Sequence, residues 1–369
     1  MISNKVLQFI FLTCFIIFFP VFTTSPADLL VPSMELITRG YLRGGAFHLA
    51  TLGAIDISVA GGYKFGGNLL FNLENENLED ITSETSLAFK AASVTIKDMF
   101  SLPINMTYYT GEIEEFCTGD KFPDYFGTQP LATHFQGYIY FPEGVRYKGI
   151  HTIAGTGLDI STTFLSESFL ADFYLYQDAH LGTGKYSTDL RGMLNLNLFK
   201  LEAFMGITFP AGTFGLYRTG LMLFYKTGTG GEFFTQIGIP RWDPGTENFD
   251  IDLFYFLFEP RVVLNGFSII LTLFWHPKYY LQQLTGELGS VDININFLFG
   301  QLERTPLSGG VESSLAFSTV REEQFKAILS PYLGVITSGV FWNFKLNVKL
   351  FPFELAEILE AFIGVKAEF

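Results

Sequence analysis

Apolar and polar residues alternate with a period of two along much of the chain after residue 28. In the stretch 291–297, VDININF, every odd-numbered residue is apolar and every even-numbered residue is polar. The same alternation recurs at 55–59, 189–198 and 343–350. Successive side chains of a β-strand point to opposite faces, so each stretch predicts a strand with one apolar and one polar face.

Two architectures use such strands. A soluble β-sandwich turns the apolar face inward, whereas a membrane barrel turns it outward to lipid and keeps a polar interior. The alternating segments are about 9–12 residues long, which is the length that a tilted strand needs to cross a bilayer. No linker divides residues 28–369. The sequence therefore predicts an all-β fold, a transmembrane antiparallel up-and-down β-barrel in a single domain.

The first 27 residues resemble a secretory signal peptide in composition. Lys5 is the only charged residue before Asp28, residues 6–22 are almost all apolar, and Ser25 and Ala27 are small residues at the spacing of a cleavage site. We expect cleavage after Ala27. The alternative is an uncleaved anchor helix, because the apolar run is close to the lower length limit for spanning a bilayer.

Composition narrows the class of protein further. Charged residues make up 16% of the chain and the net charge is −14. The scarcity of charge disfavours a disordered chain, and the acidic balance disfavours DNA or RNA as a partner. After signal cleavage Cys117 would be the only cysteine, which allows neither an intramolecular disulfide nor a cysteine-rich metal site.

The last seven residues, IGVKAEF, alternate once more and end in Phe369. This segment resembles the terminal strand of bacterial outer-membrane proteins, whose final aromatic residue is read by the barrel-assembly machinery. The resemblance implies a location in the outer membrane of a diderm bacterium and contact with its lipid. It also implies the assembly machinery and periplasmic chaperones as partners, with Phe369 as the assembly signal.

Nineteen segments between residues 34 and 369 are candidate strands, one of them at 134–141. A single-chain bacterial barrel has an even number of strands, so we predict 16 to 18. Short turns at 265–266 and 337–339 suit the periplasmic side. Glutamates that recur every three residues within 353–362 predict a helix of one or two turns before the last strand.

The polar face of the predicted strands defines a candidate lumen. Charged and amide side chains are too costly in hydrocarbon to point outward, and a barrel of this width encloses a water-filled channel by default. The lumen-lining residues expected from the alternation are Asp56, Asp189, Arg191, Asn195, Asn197, Asp292, Asn294, Asn296, Asn343, Lys345, Asn347 and Lys349. The alternative is a plugged interior in which these side chains hydrogen-bond to one another.

Residues 112–126 combine aromatic residues with an acidic cluster. In length and composition only, the segment resembles the porin loop that folds inward and narrows the pore opposite basic wall residues. The acidic residues expected to form this constriction are Glu112, Glu114, Glu115, Asp120 and Asp124. The alternative is a solvated external loop. At a channel entrance such charges would concentrate cations and repel anions.

No residue pattern points to catalysis. His134 and His151 lack the serine two residues later that a membrane-barrel hydrolase would pair with them, so we expect no enzyme, no cofactor and no metal. The leading hypothesis is a porin-like channel for passive diffusion of small solutes, with a mild preference for cations. The alternatives are a transporter of hydrophobic compounds, which the inward positions of Phe204, Met222 and Phe224 would serve, and a surface adhesin or structural barrel. The sequence does not distinguish a monomer from a trimer.

Overall fold

The computed structural model describes most of the chain from residue 28 onward. The described residues are 28–43, 45–61, 64–75, 85–119, 121–122, 126, 149–164, 168–264, 266–279, 290–301, 305–318, 325–355 and 357–368. No helix among them is long and apolar enough to span a membrane. The described residues include two short 3₁₀ helices, at Met99–Ser101 and Ile251–Leu253.

Eighteen strands make up the fold. They are β1 (Asp28–Arg43), β2 (Ala46–Gly61), β3 (Phe65–Asn75), β4 (Thr85–Ile96), β5 (Ile104–Phe116), β6 (His151–Phe164), β7 (Phe169–Asp178), β8 (Tyr186–Leu196), β9 (Phe199–Phe209), β10 (Leu216–Lys226), β11 (Gly231–Trp242), β12 (Tyr255–Leu264), β13 (Phe267–Trp275), β14 (Ser290–Phe299), β15 (Leu307–Ser318), β16 (Phe325–Thr337), β17 (Val340–Phe351) and β18 (Leu359–Glu368). The predicted strand at 134–141 lies outside the described residues.

The sheet closes on itself. Each strand pairs with its neighbours in chain order, and β1 pairs antiparallel with both β2 and β18. The closing register sets Met34 opposite Ala367 and Tyr41 opposite Glu360. A closed antiparallel sheet leaves no edge with unpaired backbone groups, as hydrocarbon requires. The predicted all-β up-and-down barrel is confirmed, and its 18 strands lie within the predicted range.

The two rims of the barrel differ. The turn rim, where Glu368 pairs with Ser33, carries tight connections such as 197–198 and 338–339. Gly339 and Gly266 take positive φ values of 80° and 78° there, which glycine adopts without strain. The opposite loop rim carries longer connections, including 117–150 and 243–254. Short turns suit the periplasmic side, and that sidedness stays a prediction.

The outer face of the barrel is apolar and its inner face is mostly polar. On β8 the outward side chains of Leu190 and Leu196 are each 50% exposed, whereas the inward Asp189 and Arg191 are buried. The same alternation on β14 buries Asn294 and exposes Phe297. This is the orientation of a membrane barrel, in which the exposed apolar band faces lipid.

The helix predicted within 353–362 is wrong. The backbone N–H of Glu357 donates to the carbonyl oxygen of Glu354 at 3.0 Å in a turn, and Leu359 already begins β18. Phe362 and Glu360 are buried while Ile363 and Leu359 are exposed, which is the period of a strand. Pairing with β17 and β1 outweighs the local helical spacing of the glutamates.

An apolar core lies inside the barrel, on the side of β5 to β13. It joins inward residues of the wall, such as Phe204, Phe234 and Leu257, to the connection between β5 and β6. We call the described part of this connection, residues 117–119, 121–122, 126 and 149–150, the inner segment. Cys117, Phe122 and Ile150 in it are almost completely buried, so the inner segment lies inside the barrel.

Candidate functional site inside the barrel

The inner segment is attached to the wall by its backbone. The N–H groups of Cys117 and Gly119 donate to the two carboxylate oxygens of Glu202 on β9, at 2.7 and 3.1 Å. Cys117 and Gly119 have positive φ values of 66° and 81°, which turn both N–H groups towards the same side. Two backbone N–H groups that point to the same side, here one residue apart, form a concavity that binds an anion. The Glu202 side chain, 1% exposed, fills it.

Neighbouring strands complete this attachment. The Gln236 amide on β11 donates to the carbonyl oxygen of Cys117 at 2.5 Å and accepts from the Tyr255 hydroxyl at 2.8 Å. The Phe116 ring, at the end of β5, lies 4.8 Å from the Phe204 ring across the interior. The segment is therefore fixed to β9, β11 and β12 by both hydrogen bonds and packing.

Two inward glycines leave room for the side chain at the end of the inner segment. A Cβ on Gly220 would lie 2.7 Å from the terminal carbon of Ile150, and one on Gly238 would lie 3.0 Å from it. Their missing side chains let Ile150 approach the wall of β10 and β11. The interior on this side of the barrel is thus filled to contact distance.

A network of charges surrounds Lys121 of the inner segment. Its ammonium group lies 3.0 Å from Glu114, 3.4 Å from Asp172 and 3.7 Å from Asp159, and it donates to the Tyr174 hydroxyl at 2.8 Å. Burial and the nearby Arg191 lower the pKa of Lys121, but the carboxylates Asp172, Glu114 and Asp159 outweigh them and leave it above its ordinary value. Lys121 therefore stays charged and holds the segment to β5, β6 and β7.

Arg191 joins this network to the attachment of the inner segment. Its guanidinium contacts Asp172, lies 2.9 Å from Glu114 and lies 3.6 Å from Glu202. It also stacks over the Phe116 ring at 4.9 Å. A β-bulge between Glu112 and Glu114 shifts the alternation of β5 by one residue, so Glu114 shares the inner face with Phe116. One buried cation therefore contacts three strands of the wall.

A second ion pair spans three strands nearby. Arg218 on β10 contacts Asp189 on β8 through two bonds, at 2.6 and 2.5 Å. Gly206 on β9 lies between them in the register, and a Cβ there would come within 1.8 Å of Asp189 Oδ1. The Tyr176 hydroxyl donates to Asp189 at 2.9 Å. Glycine at 206 is what allows the pair to form.

The opposite side of the interior is polar and more open. We call the inward side chains of β14 to β18, β1 and β2 the polar wall. Lys345 contacts Glu312 at 2.7 Å, while Glu360 accepts from Arg39 at 2.8 Å and lies 3.1 Å from Lys349. The Lys349 side chain is 32% exposed, against 2% for Arg191.

Two further inward positions indicate space beside the polar wall. Glu35 and Ala54 face each other across β1 and β2 on the side of Arg39, and both are exposed. Their exposure means that the described residues do not cover these two side chains completely, although Lys366 of β18 lies opposite Glu35 in the register. The inner segment and the inward side chains of β5 to β13 therefore fill one half of the barrel, while part of the polar wall stays accessible.

Most of the predicted lumen-lining residues face the interior, but on different sides. Asp189, Arg191 and Asn195 lie on β8 in the filled half, where the first two belong to the ion pairs above. Those of the polar wall are Asp56, Asp292, Asn294, Asn296, Asn343, Lys345, Asn347 and Lys349. Asn197 differs from the prediction, since it is exposed in the two-residue turn between β8 and β9. Leu196 is the last residue of β8.

The predicted constriction segment is only partly a loop. Glu112, Glu114 and Glu115 belong to β5, because that strand continues to Phe116. Glu114 enters the charge network, Glu112 lies 3.7 Å from Lys90 at the surface, and Glu115 is partly buried opposite Thr152. The other two acidic residues, Asp120 and Asp124, lie outside the described residues, as does Phe369. The role of Phe369 in assembly stays a prediction.

Several residues of the site were not predicted. Asp172, Glu202 and Arg218 all occupy inward positions of their strands, and alternation alone could have placed them there. The apolar–polar alternation of their strands is incomplete, because aromatic residues share the inner face, for example Tyr174 beside Asp172 and Phe204 beside Glu202. No local pattern marks Lys121 as part of the site. Its partners lie on three strands, Glu114 on β5, Asp159 on β6 and Asp172 on β7, the last of them 51 residues away.

Comparisons with known proteins identify the class of fold. The sequence matches no family model and no curated protein. Its structure is similar to OccAB4 of Acinetobacter baumannii, with a TM-score of 0.56, 8% identity and coverage of 94% of this chain and 98% of that one. It is similar to a variant of the Rh. blastica porin, with a TM-score of 0.50, 10% identity and coverage of 93% and 100%.

A third solved structure with this fold is Wzi of Escherichia coli, a carbohydrate-binding β-barrel involved in group 1 capsule assembly. It shares a TM-score of 0.53 and 10% identity, with coverage of 92% of this chain and 85% of that one. Together with the closed sheet and the apolar outer face, these similarities define the protein as an outer-membrane β-barrel with a porin-like architecture. Proteins of this fold are not all channels, so function has to be argued from the interior.

Proposed function

We propose that the protein is a channel for the passive diffusion of small hydrophilic solutes across the outer membrane. The observation that carries this proposal is the exposed part of the polar wall. Lys345, Asn347 and Lys349 are partly exposed there and Glu35 and Ala54 are exposed, whereas the inward amides of β14 are buried. A barrel of 16 to 18 strands is wide enough for an aqueous path. The inner segment narrows that path to an eccentric one along β14 to β18, β1 and β2.

The apolar inward residues do not favour the transporter of hydrophobic compounds. Phe204, Met222 and Phe224 are buried in the core that holds the inner segment. Met222 lies 3.4 Å from where a Cβ of Gly119 would be. These side chains are engaged in packing, so they leave no free apolar surface for a ligand, and the small-solute channel is the function that we retain.

Osmotic swelling of liposomes tests the channel. Vesicles that contain the refolded barrel, residues 28–369, are expected to swell in isosmotic solutions of small sugars and not in solutions of large dextrans. Protein-free vesicles and vesicles with heat-denatured barrel are the controls. Vesicles that admit no solute of any size would contradict the proposal.

A mild preference for cations is expected from the charges of the polar wall. Lys345 pairs with Glu312, while Arg39 and Lys349 share the single carboxylate of Glu360. Glu35 and Asp56 lie on the same inner face, with Lys366 of β18 opposite Glu35 in the register. Carboxylates that are accessible along a permeation path attract cations and repel anions.

Reversing these two charges should reverse the selectivity. In a KCl gradient, the double substitution Glu35→Lys and Asp56→Lys is expected to change the sign of the zero-current potential, from cation-preferring to anion-preferring. Glu354→Lys adds the same kind of charge at an exposed position of the loop rim, and salt should screen its effect. An unchanged potential in the double variant would show that the permeation path does not pass these side chains.

A further inference from the structure

An open groove interrupts the lipid-facing surface over β8 to β11. Its volume is about 1090 Å³, and its lining runs from Thr188 to Gly192 on β8 and across to Ile239 and Trp242 on β11. The small residues Gly192 and Ala203 pair across β8 and β9 and form its floor. The larger side chains of Leu190 and Met205, which are the next outward pair, stand beside it.

Aromatic rings close the groove at the loop rim. The Trp242 ring lies 5.4 Å from Phe249, which lies 5.6 Å from Phe254, and both contacts are edge-to-face. The Trp242 indole N–H donates to the carbonyl oxygen of Glu247 at 3.2 Å, and this hydrogen bond fixes the Trp242 ring relative to the loop that carries Phe249. Trp and Tyr are enriched where a membrane barrel meets the bilayer interface. The groove thus runs from the interface towards the middle of the apolar band.

The surroundings of the groove determine what can fill it. It opens onto exposed apolar side chains such as Leu190 and Met205, so it is continuous with the lipid-facing surface of the barrel. The lining is mostly apolar, with few hydroxyl groups such as that of Thr188, so water finds few polar partners there. An empty space would leave the lining atoms without dispersion contacts. The groove runs along the strands from the bilayer interface towards the middle of the membrane, and the acyl chain of a lipid runs in the same direction.

We propose that this groove is a binding site for the acyl chain of an outer-membrane lipid, held more tightly than the lipid around the rest of the barrel. The proposal is independent of the channel function, since the groove lies on the outer face. It predicts that one lipid per barrel is retained beside Trp242 when bulk lipid is removed.

Tryptophan quenching can detect that lipid. The chain has three tryptophans, and two of them serve as probe and control. Trp242 lines the groove, whereas Trp342 lies on the outer face of β17 and is 38% exposed. Single-tryptophan barrels are made by Trp275→Phe with Trp342→Phe, and by Trp242→Phe with Trp275→Phe. Each is titrated in detergent with a phosphatidylcholine whose acyl chains carry bromine.

We expect Trp242 to be quenched at about one lipid per barrel and Trp342 only at a large excess. Filling the groove with Ala203→Phe should raise the lipid needed to quench Trp242 several-fold. Ala361→Phe, at an exposed outward position of β18, should change nothing. Equal quenching of the two tryptophans would overturn the proposal, since it would mean ordinary lipid contact only. Sedimentation that reveals a dimer broken by Ala203→Phe would also overturn it, because a second copy would then cover the groove.

Discussion

Replacing Glu202 with alanine is expected to release the inner segment and to increase the conductance of the barrel. The substitution removes the acceptor of two buried backbone N–H groups, at Cys117 and Gly119. It also removes one of the carboxylates near Arg191. An unsatisfied buried donor costs about 1–3 kcal/mol, so losing both acceptors makes the attached position of the segment unfavourable relative to a released one.

Cys117 reports this release directly. The thiol is completely buried in the wild-type barrel, and burial raises its pKa well above the ordinary value, so it stays protonated and unreactive. A maleimide reagent should label Cys117 slowly in the wild type and rapidly in Glu202→Ala, and the single-channel conductance should rise in parallel. Glu202→Gln keeps one carbonyl acceptor and should behave in an intermediate way. A Glu202→Ala barrel with protected Cys117 and unchanged conductance would refute this account of the attachment.

Gly206→Ala is expected to destabilise the barrel more than its single methyl group suggests. The new Cβ would lie 1.8 Å from Asp189 Oδ1 and 2.9 Å from the Arg218 Nε, so the ion pair over Gly206 has to separate. Breaking a buried ion pair by removing one partner costs about 3–5 kcal/mol. The loss in the free energy of unfolding caused by Gly206→Ala is expected to approach that range. The measurement is the free energy of unfolding in urea, for barrels refolded into detergent micelles under reversible conditions.

Two controls isolate the cause of that loss. Gly192→Ala places its Cβ 3.4 Å from the Phe169 ring, which is an ordinary contact, and should cost little. In a barrel that already carries Asp189→Ala and Arg218→Ala, Gly206→Ala should be nearly neutral, because the space above Gly206 is then empty. Substitutions of residues that share one contact change the free energy of unfolding by amounts that do not add. Full additivity of the three substitutions would contradict the bridging role of Gly206.

The architecture could be predicted from the sequence because the strand period is repeated so often. Alternation in stretches such as 291–297 reports which face meets lipid, and that orientation is what the structure shows for β14. Closure follows from the same pattern, since an open edge would be costly in hydrocarbon. Local spacing predicts the wrong element where strand pairing overrides it, as in the glutamate-rich stretch before β18.

The filled half of the interior could not be predicted in the same way. The alternation places Arg191 on an inner face, but its contacts with Glu114 and Glu202 join strands that lie far apart in the chain. The acidic segment after 112 did suggest an inward loop, although Glu114 acts from β5 through a bulge that no local signal marks. The role of Gly206 cannot be predicted from its own strand, since it depends on two side chains from the neighbouring strands.

Single-channel recording in a planar bilayer tests the central claim, an aqueous path between the polar wall and the attached inner segment. The wild-type barrel is expected to give discrete conductance steps that scale with KCl concentration, and Glu202→Ala is expected to give larger ones. Because both barrels share the same polar wall, the difference between them measures how much of the lumen the inner segment occupies. A wild-type barrel that stays sealed at every salt concentration would contradict the claim.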